Sequence, residues 1–185
     1  FLAECGVNPV RIRVWNDPRD EEGHSYGGGN NDVDTARQIG ILATKAGMKV
    51  LLDFHYSDWW ADPGNQNKPK AWKYLHGREL MNAVYEYTKE VLDTLADNGV
   101  TPSMVQVGNE IRCGMLWPDG SSEDYRTLAK LVNAGIKGVR DSKVERAVRL
   151  IDKTNILDND GNVDSSKLST EVEATLKDFP ELIAK

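Results

Sequence analysis

Val105-Gln106-Val107-Gly108-Asn109-Glu110-Ile111-Arg112 is the stretch whose reading decides the fold. The run from Met104 to Val107 is short and mostly apolar, and reads as a buried strand. It stops at Gly108, and an amide and a carboxylate follow at once. A polar pair at the C-terminal tip of a buried strand is where parallel α/β proteins place their chemistry.

Two earlier stretches have the same form. Residues 10–15 alternate, with Val10, Ile12 and Val14 on one face and Arg11, Arg13 and Trp15 on the other. Two arginines on one face fit an exposed edge strand. They fit equally the inside of a barrel, where arginines hold carboxylates. Residues 48–55 are apolar up to the polar tip at His55. Helices are predicted over residues 33–46, capped by Asp32 and stopped by Gly47, over 77–97, stopped by Asn98-Gly99, and over 123–139. Strand, helix, strand, helix, strand, helix predicts a parallel α/β layout with right-handed crossovers. Each polar cluster falls after a strand and before a helix. Large loops there, with no dinucleotide fingerprint, favour a barrel over a doubly wound sheet.

Composition excludes several classes. A chain of 185 residues with net charge −6 and no basic run is not expected to bind nucleic acid. No apolar stretch approaches the roughly 18 residues of a membrane helix, and no signal-like segment follows Phe1. Cys5 and Cys113 have no metal or redox spacing. The glycines at 27–29 are not followed by the Lys and Ser/Thr of a phosphate loop. Residues 158–164 are similar to a calcium loop, but Ile156 and Lys167 would occupy its first and last ligand positions. No metal or other cofactor is therefore expected in this segment.

The loop after the second strand holds Tyr56, Asp58, Trp59 and Trp60, and runs on to Trp72 and Tyr74. Aromatic faces beside hydrogen-bonding groups suit a sugar ring, with one or more of these rings packing under the loop. Arg13, His55 and Asn109-Glu110 are expected to converge at the strand tips. A carboxylic acid beside a cation and an amide suits general acid/base work. Glycoside hydrolysis needs a second carboxylate, about 5–5.5 Å away for retention or about 6.5–9.5 Å for inversion. Burial and that second charge would raise the first acid's pKa. The plainer alternatives are a structural Glu110, capping a helix or paired with Arg112, and a satisfied core His55.

Val10 to Trp15, Asp53 to Asp58, Trp60 to Pro63, Gly108 to Arg112 and Gly114-Met115-Leu116-Trp117-Pro118 together resemble the endo-β-1,4-galactanases of glycoside hydrolase family 53. The resemblance covers about residues 1–141, and the loop from Tyr26 to Asp32 is similar to bacterial members. It implies a partial (β/α)8 TIM barrel carrying about strands two to four. It implies endo-hydrolysis of β-1,4-galactan, in the arabinogalactan side chains of pectin, by a retaining double displacement. Glu110 would be the proton donor and Asn109 would hold a sugar hydroxyl. Arg13, rather than the deeper Arg11, would support the nucleophile, with His55 beside it. Asp58, Trp60 and Trp117 would line the substrate. The substrate polysaccharide is the implied partner, the location extracellular or cell-surface, and a structural calcium is implied only for loops beyond this segment. The family's nucleophile, a glutamate on a later strand, has no match here. Glu145, Glu171 and Glu173 lie in helix-like contexts. The chain is thus expected to be a partial sequence, inactive alone, with residues 142–185 forming a divergent helix-rich segment. The alternatives are a non-catalytic galactan- or pectin-binding module and another endo-glycanase such as a mannanase or xylanase.

Overall fold

Alternating residues at Val10–Val14 form a strand, β1, whose even positions enter the core: Ile12 and Val14 are buried while Arg11 is exposed. The computed structural model describes residues 1–144 together with Ser166, Lys167 and Thr170. The chain divides into two compact units, Phe1–Val144 and Glu145–Lys185. The fold described is that of the first unit. The polar turn at 158–164 lies outside the described residues. So do the helical segments read after Val144, apart from those three residues, which are helical.

After β1 come helix α1 (Val33–Lys45), strand β2 (Val50–Phe54), helix α2 (Gly77–Asp97), strand β3 (Met104–Val107) and helix α3 (Tyr125–Asp141). The sheet order is β1-β2-β3 and both pairings are parallel, with Arg13 opposite Asp53 and Asp53 opposite Gln106. Sequence and structure therefore agree on the order and type of these elements. Asp32 caps α1 as read, its side chain accepting from the Thr35 N–H at 2.8 Å. Asn98 follows α2 as its cap. The first residues make one helical turn, closed by the Val7 N–H on the Leu2 carbonyl with Gly6 at φ +79°.

The core lies between the sheet and the helices. Val14, Leu52 and Phe54 from the strands meet Leu80, Val84, Leu92 and Leu95 of α2, all buried. Fully burying such a side chain contributes about 1.5–3 kcal/mol each. Small residues let the helices close in. A Cβ on Gly40 of α1 would meet Val100 Cγ1 at 2.7 Å, and one on Gly138 of α3 would meet the Tyr85 carbonyl of α2 at 2.6 Å. Past α3, the Lys143 N–H donates to Asp93 and its ammonium pairs with Asp97, so the unit's last residues are tied to α2.

One element departs from the sequence reading. Within the loop expected over 111–122, Gly114–Met115 (β4) and Gly120–Ser121 (β5) pair antiparallel as a small hairpin. Strands this short carry no readable period.

Candidate active site

Where β1, β2 and β3 end, their polar tips face a common cleft of about 360 Å³. Arg11, Arg13, His55, Trp60, Asn109 and Glu110 line it, with Asn31, Ile12 and Ile39 at its side. Four residues singled out as catalytic from the sequence, Arg13, His55, Asn109 and Glu110, thus share one cleft with Trp60. Asp58 and Trp117 are not among its lining residues.

Glu110 sits at the turn after β3 with φ 49° and ψ 42°, the left-handed region. A non-glycine residue there costs of order 1–3 kcal/mol and is held by its surroundings. Tyr56, two residues past the end of β2, has φ 51°. Both tips on this side of the sheet therefore carry strain where the polar groups stand. Contrary to the sequence reading, the Glu110 side chain is exposed rather than buried. Asn109 is buried, and its oxygen and one of its two Nδ2 protons are engaged. Its Oδ1 accepts from Arg11 Nη2 at 2.6 Å and from Gln106 Nε2 at 3.3 Å, and its Nδ2 donates to the Ala61 carbonyl at 2.7 Å. Its backbone carbonyl accepts from the buried amide of Gln66 at 2.8 Å.

The arginine bonded to Asn109 is Arg11. Arg11 also donates from Nε and Nη2 to Asp53 Oδ2, at 3.1 and 2.6 Å. Arg13 instead lies over the Trp60 ring, with its Cζ 4.1 Å from the centroid. His55 is buried, and its Nδ1 accepts the Ala61 N–H at 3.0 Å, which places the ring proton on Nε2. Asp53, Arg11 and Gln66 were not singled out as site residues from the sequence. A carboxylate inside an apolar strand was the one local signal available for Asp53.

The aromatic loop divides as the sequence implies. Tyr56 and Trp72 are buried, whereas Trp59, Trp60 and Tyr74 remain 37%, 36% and 81% exposed. Trp59 packs 5.1 Å from Trp15 between ring centroids, and Gly28 lies against the cluster: a Cβ there would meet Trp59 at 3.0 Å. The glycine run thus brings backbone close onto indole rings, which a larger residue would push away. Asp58 pins this loop. It accepts the Asp17 N–H at 3.0 Å and the Lys70 N–H at 2.7 Å, and burial pushes its carboxyl above the ordinary value despite those bonds. Trp117, in the turn joining β4 and β5, is half-buried and donates its indole N–H to the Cys113 carbonyl at 2.9 Å, while its backbone N–H reaches the Gln66 carbonyl. Asp119 in the same turn holds the buried ammonium of Lys68 at 2.7 Å and His76 at 2.8 Å. Among the described residues, Asp20, Glu22 and His24 bring metal-ligating atoms within 4.8 Å of one another, on an exposed loop that does not line the cleft.

The arrangement can present a carboxyl group to a glycosidic oxygen, with an amide of fixed orientation and an indole face alongside. Known proteins similar to this chain include glycoside hydrolases. Residues 1–171 match the family model described as glycosyl hydrolase family 53. The chain is 47% identical over 149 residues to the endo-β-1,4-galactanase of Bacillus subtilis (strain 168), covering 80% of this chain and 34% of that protein. It is 42% identical over 151 residues to a probable arabinogalactan endo-β-1,4-galactanase A of Aspergillus terreus, covering 82% of this chain and 41% of that protein. The chain thus spans about two-fifths or less of these relatives' length. Among solved structures, the Ignisphaera aggregans GH53 catalytic domain superposes with a TM-score of 0.75 at 50% identity, over 77% of this chain and 39% of that one.

Proposed function

Because the chain belongs to glycosyl hydrolase family 53, we propose that it supplies the acid/base half of an endo-β-1,4-galactanase active site. Its three strand–helix units are part of a (β/α)8 barrel. The observation that carries the functional reading is that Glu110 and Asn109, at the tip of β3, line one cleft with Trp60.

In this reading Trp60 packs against the apolar face of a galactosyl ring. Asn109 turns a remaining Nδ2 proton to the hydroxyl next to the reacting carbon, a contact that strengthens as charge develops. Glu110 donates a proton to the leaving glycosidic oxygen and then takes one from water, as retaining double displacement requires. Among the described residues, Glu110 is the one carboxylate lining the cleft. The nucleophile would come from elsewhere in the protein, about 5–5.5 Å from Glu110 in the assembled site. The Arg13 guanidinium in the cleft suits such a carboxylate. Arabinogalactan side chains of pectin are the proposed substrate, which implies action outside the cell. No helix among the described residues is long and apolar enough to cross a membrane.

The test is Glu110→Gln in the protein that carries this chain. Hydrolysis of β-1,4-galactan is expected to fall about 10²–10⁴-fold, with oligosaccharide binding retained. Unchanged hydrolysis would remove Glu110 from the mechanism. A binding module predicts the opposite pattern: no hydrolysis at any stage, and binding lost in Trp60→Ala.

A further inference from the structure

We propose that Asp53 is a positioning residue that, through Arg11, locks the amide of Asn109 in one orientation. The proposal rests on the galactanase reading for its effect on rate, and on geometry alone for the lock.

Asp53 is fully buried in β2, and among the described residues it is the one buried carboxylate. Burying a charge is costly unless it is paired and hydrogen-bonded. One of its oxygens, Oδ2, takes two N–H groups of Arg11. The same Arg11 Nη2 that reaches Asp53 also reaches Asn109 Oδ1. Arg11 is 51% exposed at its side chain and flexible by nature, so what fixes it is the buried anion. The chain of contacts then returns on itself. Asn109 Nδ2 donates to the Ala61 carbonyl, the Ala61 N–H donates to His55 Nδ1, and His55 Nε2 lies 3.3 Å from Asp53 Oδ2. That last approach is too poorly aligned to count as a hydrogen bond, so it is the weak joint of the ring.

The ring has a direction. Asn109 Oδ1 faces two donors and its Nδ2 faces an acceptor. Turning the amide over would set N–H against N–H and oxygen against oxygen. Arg11 is the charged donor that makes the observed state the stronger one. Sequence register explains why this residue does it. Asp53 is level with Arg13 across the sheet, but the Arg13 guanidinium lies on Trp60. The arginine two positions earlier on the same face reaches across to take the carboxylate. Asp53 itself does not line the cleft, so it acts only through Arg11.

The experiment uses the protein that carries this chain. Asp53→Leu keeps side-chain size and removes the acceptor. Its kcat on β-1,4-galactan is expected to fall on the order of 100-fold, with KM unchanged. Asp53→Asn still offers one oxygen to Arg11 and is expected to recover most of the loss. In an Asn109→Ala background, Asp53→Leu is expected to cost less than about twofold, because the group it positions is gone. An additive double-mutant cycle overturns the proposal. So does a lower melting temperature with kcat per folded molecule unchanged. The Asn109 side-chain amide resonances are read in parallel by NMR, and are expected to shift and broaden in Asp53→Leu. If they do not move, the lock does not exist, whatever the rates show. If the unsubstituted protein cleaves no galactan, the galactanase reading fails by itself and the amide resonances still decide the lock. Should Asp53→Leu fail to fold, Arg11→Gln cuts the same link from its half-exposed side, with the same expectations.

Discussion

Glu110 shows what a single residue pays for its position. Its left-handed backbone, φ 49°, is one that glycine adopts freely and a glutamate does not. Glu110→Gly is therefore expected to stabilise the fold by up to about 1 kcal/mol while removing the proposed proton donor, a pairing checked by thermal melts beside galactan turnover assays on the protein that carries this chain. A lower melting temperature in that variant would mean that the glutamate side chain, not the turn, holds the tip. The residue scale is also where the sequence was least decisive. Alternation put Arg11, Arg13 and Trp15 on one face, and in the structure both arginines line the cleft. It could not say which arginine meets a carboxylate, since that depends on which neighbour competes for each guanidinium. Trp60 takes Arg13, and Asp53 takes Arg11.

At the scale of elements, the active face is built by cross-links between loops that follow different strands. Lys68 from the loop after β2, Asp119 from the turn between β4 and β5, and His76 at the start of α2 meet in one knot. The Lys68 ammonium and the Asp119 carboxylate are both nearly buried, at 6% and 12% exposure. Breaking such a pair leaves the Lys68 ammonium on the Leu75 carbonyl with its counter-charge gone, so Asp119→Ala is expected to cost roughly 3 kcal/mol, measured by urea unfolding at neutral pH. Burial pushes the Asp119 carboxyl up, but the bonds from Lys68 and His76 outweigh it and hold it below the ordinary 3.8. A carboxyl whose folded pKa is depressed stabilises the fold above its unfolded value. That contribution is lost as pH falls through the folded value. The stability gap between the unsubstituted protein and Asp119→Ala is thus expected to hold above pH 3.8 and to close in more acid solution. A gap that stays constant in acid would show that the knot is not electrostatic. None of this knot was legible beforehand, because its members lie up to 51 residues apart and no periodicity links them.

At the scale of the molecule, the core of Phe1–Val144 is contributed by elements of that unit, and its last residues are tied back to α2. A chain ending after Val144 is therefore expected to unfold in one cooperative transition, with a urea m-value in the range of about 1–3 kcal/mol/M. Circular dichroism across a urea series checks this, and a broad, non-cooperative loss of signal would show that Phe1–Val144 does not hold together alone. The sequence by itself determined the order of strands and helices, their parallel layout, the caps at Asp32 and Asn98, and the side of the sheet on which polar groups gather. Those follow from local rules: apolar period, capping chemistry, and the preference of polar loops for strand ends. Only the tertiary structure decided that Glu110 is exposed, that Arg11 and not Arg13 holds Asn109, that Asp53 pairs with Arg11, and that Gly28 and Gly138 are where backbones close in. Each of these depends on which atoms from distant parts of the chain compete for the same space or the same hydrogen bond. That competition is settled by strand register and packing, which no single stretch of sequence carries.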